Sequence, residues 1–202
     1  MNYPIPARQT NFYDLENDEF GYSVYSLVVF ATPEQQAAVQ EIRDKVKVRR
    51  SMLPAHVTVK GPFSDISSIA DVQSLIDKSL IGLNGVSVDF SGSQFKLRPN
   101  PNEFVAGLSV EVSPELAELH RRLLASIDPI STNSYPPEKK GEFPPHLTVF
   151  HEPASELESL GEQLLDDLDI GTGFPANTIS LMGHVGTPFR GEWVHISEHP
   201  LA

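Results

Sequence analysis

The feature that most constrains this chain is that its two halves repeat one pattern. Val24 to Phe30 is an apolar, β-branched run that breaks at Thr32-Pro33-Glu34, and Phe104 to Val112 is another that breaks at Ser113-Pro114-Glu115. Thr or Ser as N-cap, Pro at the first helical position and Glu in the first turn together start a helix. Apolar residues then recur at helical spacing, Ala38, Ile42 and Val46 in one half and Leu116, Leu119 and Leu123 in the other. A polar loop follows each helix, and then a short strand carrying His-x-Thr: His56-Val57-Thr58-Val59 and His146-Leu147-Thr148-Val149. Second helices are expected over 68–80 and 155–168. Each half then closes with two strands, Val86–Phe90 and Gln94–Leu97 against Asn177–Leu181 and Glu192–Ile196. Pro33 and Pro114 lie 81 residues apart and His56 and His146 lie 90 apart, so the second half carries the longer loop, Asp128 to Phe143.

Such a repeat predicts an α+β fold of two pseudo-symmetric lobes, each with an antiparallel sheet and helices, related by a pseudo-twofold axis. The approximate lobes are 22–100 and 101–198, packed as a single bilobal domain over 1–202, since no low-complexity linker separates them. At 202 residues and 40% hydrophobic content the chain is able to bury a substantial core.

Residues i and i+2 of a strand share a face. His56 therefore projects with Thr58, and His146 with Thr148, while Val57, Val59, Leu147 and Val149 turn to the core. If the axis brings the strands together, two imidazoles and two hydroxyls converge on one cavity. That set suits phosphodiester cleavage. A neutral histidine takes a proton from water or a ribose hydroxyl, and a protonated one gives a proton to the leaving oxygen. The threonine hydroxyls donate to the non-bridging phosphate oxygens. A lone His-x-Ser/Thr is weak evidence, and His195-Ile196-Ser197 is a decoy that lacks the repeat position. The other two share an upstream proline, an apolar central residue and a following valine.

On these residues, PAHVTVKGPF and PPHLTVFHEP resemble the paired signatures of the two-histidine (2H) phosphoesterase superfamily, which includes 2′-5′ RNA ligase-like proteins and cyclic nucleotide phosphodiesterases. The resemblance covers nearly the whole chain. It implies His56 and His146 as the acid/base pair, Thr58 and Thr148 as phosphate binders, and an active-site cleft between two antiparallel sheets. The expected activity is metal-independent hydrolysis of a cyclic phosphodiester, such as a 2′,3′-cyclic nucleotide or RNA-end phosphate. The alternatives are 2′-5′ phosphodiesterase or ligase-like activity on RNA ends, and a non-catalytic protein that binds phosphorylated nucleotides.

Several residues are weighed as further substrate contacts. Arg49-Arg50 and Lys139-Lys140 stand at the same offset before their histidines and form either a phosphate-attracting rim or solvated loop charge. Lys60 shares the alternation of His56 and Thr58 and reaches the phosphate or, more readily, snorkels to solvent. His151 follows the second motif and is a candidate contact. Tyr25 and Tyr22 flank the first strand and either stack on a base or pack. His120 is expected on the surface. His151-Glu152 with His146 lacks the helical His-Glu-x-x-His spacing, so no metal and no cofactor is expected.

The net charge of −12, from 15 basic and 27 acidic residues, disfavours long duplex nucleic acid and leaves a small nucleotide or an RNA end as partner. There is no cysteine, no bilayer-spanning apolar run and no signal-like N-terminus. A cytoplasmic monomer without membrane contact is the expectation.

Overall fold

A computed structural model describes residues 18–46, 53–97, 103–135, 138, 140–153, 163–186 and 192–201, with the side chains of residues 95, 97, 103, 104 and 151–153 excepted. The elements run β1 (Val24–Phe30), α1 (Pro33–Lys45), β2 (His56–Ser64), α2 (Ile69–Leu80), β3 (Val86–Leu97), β4 (Glu103–Val110), α3 (Pro114–Ile127), β5 (Thr132–Asn133), β6 (His146–Pro153), β7 (Gly173–Ala176), β8 (Thr178–Val185) and β9 (Glu192–Pro200). Of the second helix expected over 155–168, residues 163–166 are helical, and 155–162 lie outside the described residues.

The repeated helix starts form as their sequences require. Thr32 Oγ1 accepts from the Gln35 amide while Gln35 Oε1 accepts from the Thr32 amide, a reciprocal capping box. Ser113 caps α3 through the Leu116 amide, and Ser68 caps α2 through the Asp71 amide. Each such cap is worth about 1 kcal/mol. The buried residues are Gln35, Val39, Ile42 and Arg43 on α1 and Leu116, Leu119, His120, Leu123 and Ile127 on α3. Three polar residues, Gln35, Arg43 and His120, thus lie inside otherwise apolar stripes.

All the strand pairings are antiparallel, in the order β7-β3-β4-β6-β2-β1-β8-β9, with β5 beside β2. The histidine strands β2 and β6 stand at the middle of this order. They are joined through one residue pair, Val57 with Leu147. On either side the halves cross. β3, from the first half, pairs with β4 of the second, and β8, from the second half, pairs with β1 of the first.

The closing strands differ from expectation. Val86–Phe90 and Gln94–Leu97 are one strand, because Ser91-Gly92-Ser93 makes a register shift rather than a reversal, with Gly92 at φ +73°. The expected strand from Asn177 begins at Thr178 and runs on to Val185, and the one from Glu192 reaches Pro200. β7 had no counterpart in the expected pattern. Val57, Val59, Leu147 and Val149 all pack in the main core, as the alternation requires. Burying a side chain of this kind is worth about 1.5–3 kcal/mol.

Candidate active site

The pairing of Val57 with Leu147 determines which residues meet. Both side chains are buried in the core, so their neighbours along each strand turn to the opposite face. In an antiparallel register, the residue before one member stands across from the residue after the other. His56 therefore faces Thr148 and Thr58 faces His146. The repeat brings its two imidazoles and two hydroxyls together on one face of the β2–β6 junction.

Each ring is oriented by its own proline. His56 Nδ1 lies 2.8 Å from the Pro54 carbonyl oxygen, and His146 Nδ1 lies 2.9 Å from that of Pro144. A carbonyl only accepts, so each Nδ1 carries the proton and donates it. Nε2 is then the nitrogen that exchanges protons. The prolines upstream of both motifs, legible in the sequence, are thus the residues that select the tautomer. Phe30, opposite His56 in β1, makes an edge contact with its ring at 6.3 Å.

Both imidazoles are nearly withdrawn from water, with His56 3% and His146 8% exposed. Burial pushes the His56 pKa down to about 4, helped by the Arg43 guanidinium and by His146, and opposed by the hydrogen bond to Pro54. Burial likewise holds His146 below the ordinary histidine value, against the bond to Pro144. At neutral pH both rings are neutral. An anion placed against either ring would raise its affinity for a proton.

The other expected contacts distribute differently. Lys60 does not run to solvent. It is fully buried, its Nζ 2.7 Å from Glu138 Oε2 and 3.2 Å from Asp128 Oδ1, with the Phe63 ring 5.5 Å away. A register shift between Thr58 and Lys60 interrupts the strand alternation that would align them. Tyr25 is no platform for a base: it is buried against Phe63, and its hydroxyl donates to Asp18 Oδ2 at 2.5 Å. That burial and the Asp18 carboxylate raise its pKa. Lys140 is exposed, whereas Arg49, Arg50, Lys139 and the side chain of His151 lie outside the described residues. His195, the decoy, is exposed on β9.

His120 is buried rather than superficial. It stacks on Phe143 at 3.8 Å, and its Nδ1 donates to the Val59 carbonyl at 2.8 Å. Arg43, which pattern reading passed over, donates to Val149 O at 2.8 Å, Leu53 O at 2.9 Å and Thr148 O at 3.2 Å. Its signal was available: a cation in register with Val39 and Val46 on the buried stripe of α1. Among the described residues no group of three or more His, Asp or Glu is placed to hold a metal ion, and no helix is long and apolar enough to cross a membrane.

Residues 29–188 match the model of a family described as the 2′-5′ RNA ligase superfamily. None of the curated proteins compared with the chain matches it. Among solved structures, Escherichia coli LigT in apo form is similar at 14% identity and a TM-score of 0.58, over 88% of this chain and 96% of that one. LigT complexed with ATP matches over the same shares at 12% identity and a TM-score of 0.57. LigT complexed with 3′-AMP does so at 12% identity and 0.54. At these identities the likeness is one of fold.

Proposed function

The chain belongs to the 2′-5′ RNA ligase superfamily, one of two-histidine phosphoesterases, and from that premise we propose that it hydrolyses a cyclic phosphodiester on a nucleotide or RNA end. The observation that carries the reading is the Val57–Leu147 pair, whose register sets His56 against Thr148 and Thr58 against His146. The small-nucleotide part of the proposal draws on LigT, crystallised with ATP and with 3′-AMP.

The reaction follows from the groups on that face. The phosphate anion enters between two neutral imidazoles and raises their proton affinity, so that one of them becomes protonated. The hydroxyls of Thr58 and Thr148 donate to the non-bridging oxygens, on which charge builds as phosphorus becomes five-coordinate. The neutral histidine takes a proton from water through Nε2 as the water oxygen bonds to phosphorus. The protonated one gives its Nε2 proton to the departing ribose oxygen as the P–O bond breaks. The product is a phosphomonoester with a free vicinal hydroxyl, and the pair is left with its proton transferred from one ring to the other. In each ring the Nδ1–H remains on its proline carbonyl throughout.

The family match favours one neighbouring reaction, cleavage or formation of a 2′-5′ linkage at RNA ends, which uses the same two proton transfers with a ribose hydroxyl in place of water. The test is turnover of 2′,3′-cyclic mononucleotides and of a 2′-5′-linked dinucleotide, each in excess chelator. Opening of the cyclic substrate unaffected by chelator is the expected result. Turnover of the dinucleotide alone moves the assignment to the neighbouring reaction. Nucleotide binding with neither turnover overturns the enzymatic reading, and activity restored only by a divalent ion overturns the metal-independent one.

A further inference from the structure

Beneath the histidine face, each N-terminal helix of the repeat reaches across to the motif strand of the opposite half. α1, from the first half, sends Arg43 to Thr148 O and Val149 O on β6. α3, from the second half, sends His120 to Val59 O on β2. Val59 and Val149 are the same position of the repeat, three residues after their histidines. Arg43 goes further, since its Nη1 also holds Leu53 O, in the segment that leads through Pro54 into His56.

Resting on the reading that His56 and His146 act together on one phosphate, we propose that Arg43 is the positioning residue of this site, a clasp that sets the spacing of the two imidazoles by holding the backbone of both motifs at once, with His120 as its counterpart on β2.

The chemistry of the clasp is specific to arginine. A buried cation is costly unless its donors are satisfied. Here the planar fork meets three carbonyls on two separate segments, and among the described residues no carboxylate pairs with it. An apolar side chain would fill the same space without that cost. It would leave Leu53, Thr148 and Val149 carbonyls without this donor and nothing tying β6 to the approach to β2. The guanidinium is held down to about 10 by burial, so it stays charged at neutral pH. It thereby places a fixed positive charge near His56, whose pKa His146 also lowers.

Two variants decide the matter, each with two readouts that do not depend on one another. The first readout is kcat and KM on a 2′,3′-cyclic mononucleotide. The second is the ring-proton titration of His56 by NMR without substrate, with the remote His184 as internal reference. In Arg43→Gln the motifs lose their tie and the charge. We expect kcat to fall by about a hundredfold, the scale of a misplacement near 1 Å, with KM little changed. The His56 midpoint should rise while that of His184 stays. In Arg43→Lys the charge remains but a single ammonium cannot span both segments. There the midpoint should hold while kcat still falls. Wild-type kcat in either variant overturns the clasp. So does a loss in Arg43→Gln with an unmoved His56 midpoint, which is what lost packing alone produces. If Arg43→Gln does not fold, Arg43→Lys carries the test. If the wild-type protein opens no cyclic phosphate, the proposed reaction fails, while an unmoved His56 midpoint in Arg43→Gln still overturns the clasp and a raised one still places Arg43 against the first motif.

Discussion

At the scale of single residues, the two histidines are governed more by what surrounds them than by their own chemistry. Burial lowers His56 to about 4 and shifts His146 in the same direction, so the ligand-free pair is unprotonated at pH 7. The productive form needs one proton on the pair, and lowering the pH populates it. The profile of kcat/KM should therefore peak on the acid side of 6.5 and fall about tenfold per pH unit on its alkaline limb. In kcat the same limb should lie at higher pH, because the bound phosphate raises the affinity of the pair for its proton. The apparent values belong to the pair, so neither limb is assigned to one ring. His56→Gln and His146→Gln should each abolish most activity, and the double variant should lose little more, since groups acting as a unit are non-additive. His195→Gln, at the exposed decoy on β9, should retain near-normal rates. A kcat/KM maximum above pH 8 would contradict the burial of the pair, and an essential His195 would contradict the reading of the repeat.

Among the elements, the placement of β6 is the delicate one, and a glycine governs it. Gly107 of β4 pairs with Thr148 beside a register shift, and a Cβ there would strike the Leu147 carbonyl. The backbone carrying His146 and Thr148 is thus seated against a position where only hydrogen fits. Gly107→Val should cost about 1–3 kcal/mol of stability, the usual range for overpacking, read as a lower urea midpoint. The variant that remains folded should lose far more activity than this destabilisation accounts for, because β6 must shift to make room. Unchanged kcat in a folded Gly107→Val protein would show that the site does not depend on that contact. The local signals of these elements were legible in the sequence: the Thr32 and Ser113 caps, and the alternation that buries Val57 and Leu147 beneath the histidine face. What escaped reading is non-local. The partners of Arg43 on β6 lie 106 and 105 residues away, Lys60 finds Glu138 at a separation of 78, and β3 crosses to β4 instead of folding back at Gly92. Periodicity reports which face of an element is buried, and it carries no information about which distant group meets a polar residue there.

For the molecule as a whole, the buried histidines tie stability to pH in a definite direction. His56 and His184 are both pushed down to about 4 by burial, from the ordinary 6.5 that the unfolded chain regains. His184, bonded through Nδ1 to Ser23 Oγ at 3.0 Å and packed edge-on to Trp193, pairs with Val24 at the start of β1, whereas His56 pairs with Phe30 at its other end. Between about pH 6.5 and pH 4 the unfolded state binds more protons than the folded one, so stability rises with pH through that window. It is fully present above about 6.5 and is lost as the pH falls towards 4. For His56 alone the shift corresponds to about 3 kcal/mol, of which roughly 2 kcal/mol is gone by pH 5.0. The net charge of −12 works the other way, because protonation relieves self-repulsion, but that term is diffuse and screened by salt. Urea denaturation at 0.15 M salt should therefore give a lower unfolding free energy at pH 5.0 than at pH 7.5, at a pH where most carboxylates are still ionised. His56→Gln should flatten that dependence by about the 2 kcal/mol share assigned to its ring, whatever the variant does to absolute stability. A wild-type protein equally stable at both values, or a His56→Gln variant with an undiminished slope, would mean that the His56 imidazole takes up its proton in the folded state without resistance, and the neutral, tautomer-locked pair would have to be abandoned with it.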